Sequence, residues 1–314
     1  MTHETDPSRR QFTGLLAGFT AIAASGALRN VLAAEAAGKG VGFDVDTSPG
    51  PAETAKALQS FRTYVDAFNR SDFDGFSRYY VPDIDFRGRG GTFAGREEVL
   101  AFYRTIKANI SEKLTLRGLV VGRNNWVVDM VTELQSPKDW PDSPIGPMKK
   151  GEVRRSENFI WYELEGDKFK RVRSASHSKD PAPTSPPQPV LVSNPAQPVY
   201  SAADFAAYMD AFNHDDYASF GHHYTDDVKL VLAGGRSLSG RQAIFDFYKT
   251  VKSQTRRTIQ INRLVTTPGL FAAELQSEFL ALEDLPDFVA GPMKKGGRIF
   301  INTFVIYELK DGKF

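Results

Sequence analysis

Between Ala52 and Asn69 the apolar residues Leu58, Phe61, Tyr64, Val65 and Phe68 recur every three or four positions, the spacing of one face of a helix. Ser71 and Asp72 end that run, and Asp72 is placed to cap a second, short helix through Phe76 and Tyr80. Pro82-Asp83 marks a turn, Ile84 to Arg87 a strand, and Gly88 to Gly91 a glycine-rich loop. Helical spacing returns from Arg96 to Ile110, with Val99, Leu100, Phe102, Tyr103 and Ile106 on the apolar side. The period then shortens to two: Leu114 to Val121, Trp126 to Leu134, Val153 to Leu164 and Phe169 to Ser176 read as strands. Three helices followed by hairpin-linked strands predict an α+β domain, its helices on one face of a curved antiparallel sheet.

The same order then occurs a second time. Gly146-Pro147-Met148-Lys149-Lys150-Gly151 returns unchanged as Gly291-Pro292-Met293-Lys294-Lys295-Gly296, a step of 145 residues. Trp126 falls over Phe271, Glu133 over Glu278, and Tyr162-Glu163-Leu164 over Tyr307-Glu308-Leu309. Upstream the step is 144, laying Tyr64-Val-Asp-Ala-Phe-Asn69 over Tyr208-Met-Asp-Ala-Phe-Asn213. A period this long exceeds the unit of a solenoid, so each copy is expected to carry its own core. The expected domains are residues 52–177 and 200–314, with a leader at 37–51. Residues 178–199 hold seven prolines and read as a semi-rigid spacer or a strap over the domain surface. Copy one continues past Phe169 as an alternating strand, whereas the matching residue of copy two, Phe314, is the last of the sequence. The second sheet is therefore expected to be short of its final strand, either because the sequence is clipped or with the edge covered by another segment or protomer.

Charge and composition narrow the partners. With 39 basic against 38 acidic residues the chain lacks the basic excess that nucleic-acid binding favours. It has no cysteine, so no disulfide framework and no thiolate site. Ser8-Arg9-Arg10-Gln11-Phe12, the weakly apolar run Gly14 to Leu28, Arg29 and Ala34-Glu35-Ala36 together resemble a twin-arginine export signal. Residues 1–36 are on that reading a signal peptide, and a periplasmic or secreted destination is expected. The apolar run is shorter than the roughly 20 residues of a stable membrane span.

The order Tyr64-x-x-Ala-Phe-Asn, Asp72, Tyr80, Asp83, Gly95-Arg96-Glu97 and Phe102-Tyr103, followed by strands, resembles the SnoaL-like branch of the nuclear transport factor two-like superfamily, which also includes ketosteroid isomerase. The resemblance covers nearly all of both copies. It implies a curved sheet wrapped around a long helix to form a cone with an apolar pocket. That fold serves isomerases, cyclases, dehydratases, hydrolases and non-catalytic binding modules, so it is a guide to shape before activity. In ketosteroid isomerases three tyrosines form a hydrogen-bond network beside the substrate carbonyl. The resemblance places them at Tyr64, Tyr80 and Tyr103, and at Tyr208, Tyr224 and Tyr248 in copy two. Buried phenols can donate to a developing oxyanion, or can serve simply as core. The isomerase's general base falls on Gly88 and Leu232, which move no proton, and its second acid near Asn158 and Thr303. Phe68, Phe102, Trp126, Asn158 and Phe212 are the candidate ligand contacts.

Other chemistry is thinner. Alternation puts Asp129 with Glu133 on one strand face, and Glu274 with Glu278 on its copy, either as an acid–base pair or as a solvated or inter-domain surface. His222 and His223 are adjacent and would point apart on a helix, and no carboxylate triad surrounds them, so neither a metal nor another cofactor is expected. The lysines of the repeated loop would either keep a connection soluble or attract an anionic group at a pocket mouth. These readings converge on an exported pair of SnoaL-like domains, packed as an intramolecular pseudo-dimer. The expected role is to bind a small hydrophobic or carbonyl-bearing molecule, with lyase, isomerase or cyclase activity as the enzymatic version. The alternative is a non-catalytic binding or interaction module.

Overall fold

The computed structural model describes residues 42–179, 188–288 and 290–314. The export-signal reading of residues 1–36 lies outside the described residues. The first half runs β1 (Asp44–Thr47), α1 (Pro51–Asn69), α2 (Phe73–Ser77), β2 (Tyr80–Gly88), β3 (Gly91–Ala94), α3 (Arg96–Asn109), β4 (Ser111–Val121), β5 (Asn125–Gln135), β6 (Val153–Glu165) and β7 (Lys168–Lys179). The second half runs β8 (Leu191–Val192), α4 (Ala202–Asn213), α5 (Tyr217–Gly221), β9 (Lys229–Val231), β10 (Ser237–Ser239), α6 (Arg241–Gln254), β11 (Thr255–Thr267), β12 (Leu270–Ala281) and β13 (Arg298–Glu308). This is the expected α+β plan, three helices and a curved sheet in each of two tandem domains.

Local chemistry explains the repeated motifs. Pro51 opens α1, where a missing backbone N–H costs nothing, and the helix buries Ala57, Phe61, Tyr64, Val65 and Phe68. Asp72 caps α2 by accepting from the Gly75 N–H at 2.8 Å, and Asp216 caps α5 through Ser219 at 3.0 Å. The asparagine that closes Ala-Phe-Asn ties the end of the long helix to a strand. Asn69 accepts from the Leu114 N–H at 2.8 Å and donates to its carbonyl at 2.9 Å, and Asn213 does the same at Ile259. Arg96 and Arg241 reach back to the carbonyls of Tyr80 and Tyr224 at 2.9 and 3.0 Å. A bulge between Leu116 and Gly118, matched by one between Ile261 and Arg263, bends each sheet.

The unchanged Gly-Pro-Met-Lys-Lys-Gly loop is a folding element. Met148 pairs with Trp140 and plugs the cluster of Ile106, Ile110 and Leu134, while Met293 pairs with Leu285 against Phe279 and Ala281. Asp139 and Asp284 accept from the backbone of Lys150 and Lys295. Gly151 and Gly296 adopt φ of 78° and 80°, a conformation costly for other residues. The four lysines are exposed, and neither Lys294 nor Lys295 lines the cavity described below.

The first sheet has the order β3-β2-β7-β6-β5-β4-β8 and the second β1-β11-β12-β13. Both are antiparallel through their centres, but β2–β7, β4–β8 and β1–β11 are parallel pairs, which an antiparallel reading does not anticipate. The stretch read as a flexible leader contains β1, which joins the second domain's sheet. Its Asp46 meanwhile accepts from Arg123, Asn124 and Asn125 in the first domain. The proline-rich segment acts as a strap where it is described: β8 lies along β4, and Asn194 and Val199 bond with Pro268.

Between the domains the outer sheet faces meet. Val120, Val127 and Trp161 pack with Val265, Leu270 and Ala272, and the Trp161 ring lies 5.6 Å from Phe304. Beside them Arg263 pairs with Glu274 at 2.6 Å, Arg173 bridges Glu163 at 2.8 Å and Glu274 at 3.2 Å, and Arg263 also meets Glu163. One difference separates the two sheets. In the first, β7 fills the place between β6 and β2. In the second, among the described residues, no strand bonds to the far edge of β13, and β9–β10 remains a separate hairpin.

Candidate functional site

In the first domain the tyrosines come together inside the cone. The hydroxyls of Tyr64 on α1 and Tyr80 on β2 are 2.8 Å apart, with Tyr162 from β6 beside them. Tyr103 on α3 sets its ring edge-on to Phe68 at 4.9 Å. Burial raises all four phenols well above their ordinary pKa, so they are neutral donors at any physiological pH. The rings also close on one another. Phe169 from β7 is wholly buried and lies 4.5 to 6.3 Å from Phe61, Tyr64, Tyr80, Trp126 and Tyr162. Phe68 and Trp126 are core residues in this cluster. Phe102 faces elsewhere, 4.7 Å from Phe93. Asn158 is saturated by Thr132, Ser156 and Ser176.

A half-buried carboxyl group borders this core. Glu112 on β4 is in phase with the inward Leu114 and Leu116, and its Oε2 has no hydrogen-bond partner. Burial raises it to about 7, against the opposing pull of Lys107, whose ammonium lies 3.9 Å over the Phe68 ring.

The second domain repeats the frame with two changes. The Tyr208 and Tyr224 hydroxyls are 2.7 Å apart, Tyr248 lies edge-on to Phe212 at 4.8 Å, and Tyr307 stacks on Phe271 at 4.4 Å. Burial again raises these phenols. Here, however, Tyr208, Tyr224, Tyr248, Tyr307 and Phe212 line a cavity of about 2870 Å³ that passes round the free edge of β13 into the groove between the domains. That is larger than the roughly 300–1,000 Å³ of a small-molecule pocket because it joins the cone interior to that groove. Tyr64, Tyr80 and Tyr103 do not line it. The second change is charge. The position of Glu112 is taken by Arg257, whose side chain donates to Ser277 at 3.2 Å and lies under the rings of Phe212, Tyr248 and Phe279.

The sequence profile of the SnoaL-like domain matches residues 61–172 and again 205–314, which together make up most of the chain. The chain belongs to the SnoaL-like family. No curated protein sequence matches it. Among solved structures, a SnoaL-like polyketide cyclase from Agrobacterium tumefaciens is 17% identical, covering 38% of this chain and 90% of its own, with a TM-score of 0.32. An LEH-like epoxide hydrolase from M. tuberculosis is 11% identical over 40% of this chain and 84% of its own, TM-score 0.33. An NTF2-like protein from Anabaena variabilis is 15% identical over 40% and 91%, TM-score 0.32.

Within the SnoaL-like frame the remaining candidates sort by sheet face. Asp129 pairs with Arg117 at 2.8 Å and Glu133 with Arg155 at 2.6 Å on the outer face of the first sheet, while Glu274 is held in the inter-domain seam. These carboxylates point away from the tyrosines, as the alternation of an amphipathic strand requires. Gly88 ends β2 and Leu232 follows β9, neither offering a proton acceptor. His223 meets the Tyr200 hydroxyl through Nδ1, and burial lowers its pKa. Glu112, Arg257, Tyr162 and Tyr307 were absent from the sequence-based candidates. The signal was present: a charge in phase with Leu114 and Leu116, or with Ile259 and Ile261, and the repeated Tyr-Glu-Leu.

Proposed function

We propose that the protein is exported and holds a small, largely apolar molecule in the cone of its second SnoaL-like domain, the first domain serving as the rigid half of an intramolecular pseudo-dimer. The observation that carries this reading is the contrast in packing. The same aromatic frame closes on itself in the first domain and borders a cavity in the second. Aromatic walls with a few convergent hydroxyl donors suit an apolar body bearing a carbonyl or similar acceptor.

Binding without turnover fits the groups better than catalysis. The domain with a carboxyl near its tyrosines has its aromatic rings packed on one another, and the domain with the cavity carries Arg257 there instead. The apolar seam and the Glu163–Arg263 and Glu274–Arg173 pairs support the pseudo-dimer, and Arg9-Arg10 with the apolar run supports export.

Native mass spectrometry of the exported protein tests this directly. A small-molecule adduct is expected on the wild-type chain and should be absent from Leu275→Trp, which fills the cavity wall. A bare chain in both preparations would sink the binding reading. Replacing Arg9 and Arg10 together by Lys should retain the protein in the cytoplasm, and unaltered export would remove that part of the proposal.

A further inference from the structure

A half-buried guanidinium without a counter-charge, lining the cavity, points to the chemistry of a ligand. Among the described residues no carboxylate forms an ion pair with Arg257. Its side chain donates to the Ser277 hydroxyl at 3.2 Å and meets the neutral Tyr248 phenol, and Nε has no partner. The neighbouring cation Lys252 is satisfied by Asp215, so that acid is already used. The buried Nε gains most from an acceptor that reaches it from the cavity.

We infer that the ligand of the second domain carries a carboxylate, received by Arg257 at the foot of the aromatic wall formed by Phe212, Tyr248 and Phe279. This rests on the binding reading above. The guanidinium, the Ser277 hydroxyl and the neutral Tyr208 and Tyr248 phenols line this part of the cavity, and each can donate to an acceptor. A planar carboxylate accepts two parallel bonds from one guanidinium. The first domain sharpens the point. The same position there is Glu112, facing Lys107, so the requirement for an anion belongs to the second cone alone.

The probes are 2-naphthoate and its methyl ester, titrated against the full chain by fluorescence. The wild type is expected to bind the acid at least about tenfold more tightly than the ester, the value of one charge-assisted pair. Arg257→Met should bring the two affinities together, and Arg257→Lys should restore part of the preference. Because Arg257→Met removes an unpaired charge from among aromatic rings, its Tm in the absence of probe should be no lower than that of wild type. Should that variant fail to fold, Arg257→Gln gives the same comparison. Equal affinities for acid and ester in the wild type, or a preference that survives Arg257→Met, would overturn the inference while leaving the cavity reading intact. Failure of the wild type to bind either probe would overturn both.

Discussion

The two domains share a frame residue for residue, yet they have diverged in what that frame encloses. Tyr64, Tyr80, Tyr103 and Tyr162 correspond to Tyr208, Tyr224, Tyr248 and Tyr307, and in each domain one hydroxyl pair meets at hydrogen-bond distance. In the first domain β7 crosses between β6 and β2, and its Phe169 sits wholly buried among six rings. In the second, among the described residues, β13 has a partner only in β12, and Phe314 is half-buried at the place of Phe169. The inward charge at the start of the fourth strand is reversed, Glu112 against Arg257. A conserved hydrogen-bond network therefore says little about which copy binds anything. What distinguishes them is whether the volume beside the network is filled, and which charge faces it.

The largest expected effect tests the packing side of that contrast. Phe169→Ala should destabilise the first domain by about 3–5 kcal/mol, the cost of emptying a closed aromatic core. Phe314→Ala should cost less than half as much, because its ring borders open volume. Urea unfolding of the two variants makes the measurement. Equal losses would mean that the second core is as closed as the first.

Much of this was readable from the chain before any coordinates. The 145-residue register, the helical period around Phe61 and Phe68 and the alternation of the strands place both domains and all six candidate tyrosines. The rest was not local. β1 is four residues, Asp-Val-Asp-Thr, with a single apolar side chain, and its partner β11 lies in the other domain. No periodicity betrays such a strand. The parallel pairing of β2 with β7 is likewise a property of the crossover through α3 and the sheet. Glu112 and Arg257 are harder still. A charge on a strand ordinarily reads as outward, and only their phase with Leu114, Leu116, Ile259 and Ile261 says otherwise. Whether a cone is filled depends on summed side-chain volumes across elements, which the pattern of apolar positions does not report.

The charge side of the contrast predicts a pH dependence confined to the first domain. Burial raises Glu112 from the ordinary 4.5 to about 7 in the folded protein. The native state therefore holds more protons than the unfolded state between those values, and stability falls as pH rises through that window, levelling above it. The loss amounts to at most roughly 3 kcal/mol. Glu112→Gln, which cannot ionise, should flatten the slope and be the more stable form at pH 8. Thermal unfolding of both proteins at pH 4.5 and 8 gives the answer. A slope that persists in Glu112→Gln would place the titrating group elsewhere.

The smallest effect compares the hydroxyl networks themselves. Tyr64→Phe removes one member of a pair sealed among aromatic rings and leaves the Tyr80 hydroxyl without that partner, at a cost of about 1–2 kcal/mol. Tyr208→Phe removes the equivalent bond beside a cavity that water can enter, where Tyr224 regains a partner and the loss should be about 0.5 kcal/mol. A saturating carboxylate ligand should widen the cost of Tyr208→Phe, because a bound acceptor uses the lost donor, and should leave Tyr64→Phe unchanged. Were the two variants to respond alike to ligand, the hydroxyls of the second domain would be core groups like those of the first, and the charge at Arg257 would carry the contrast between the cones.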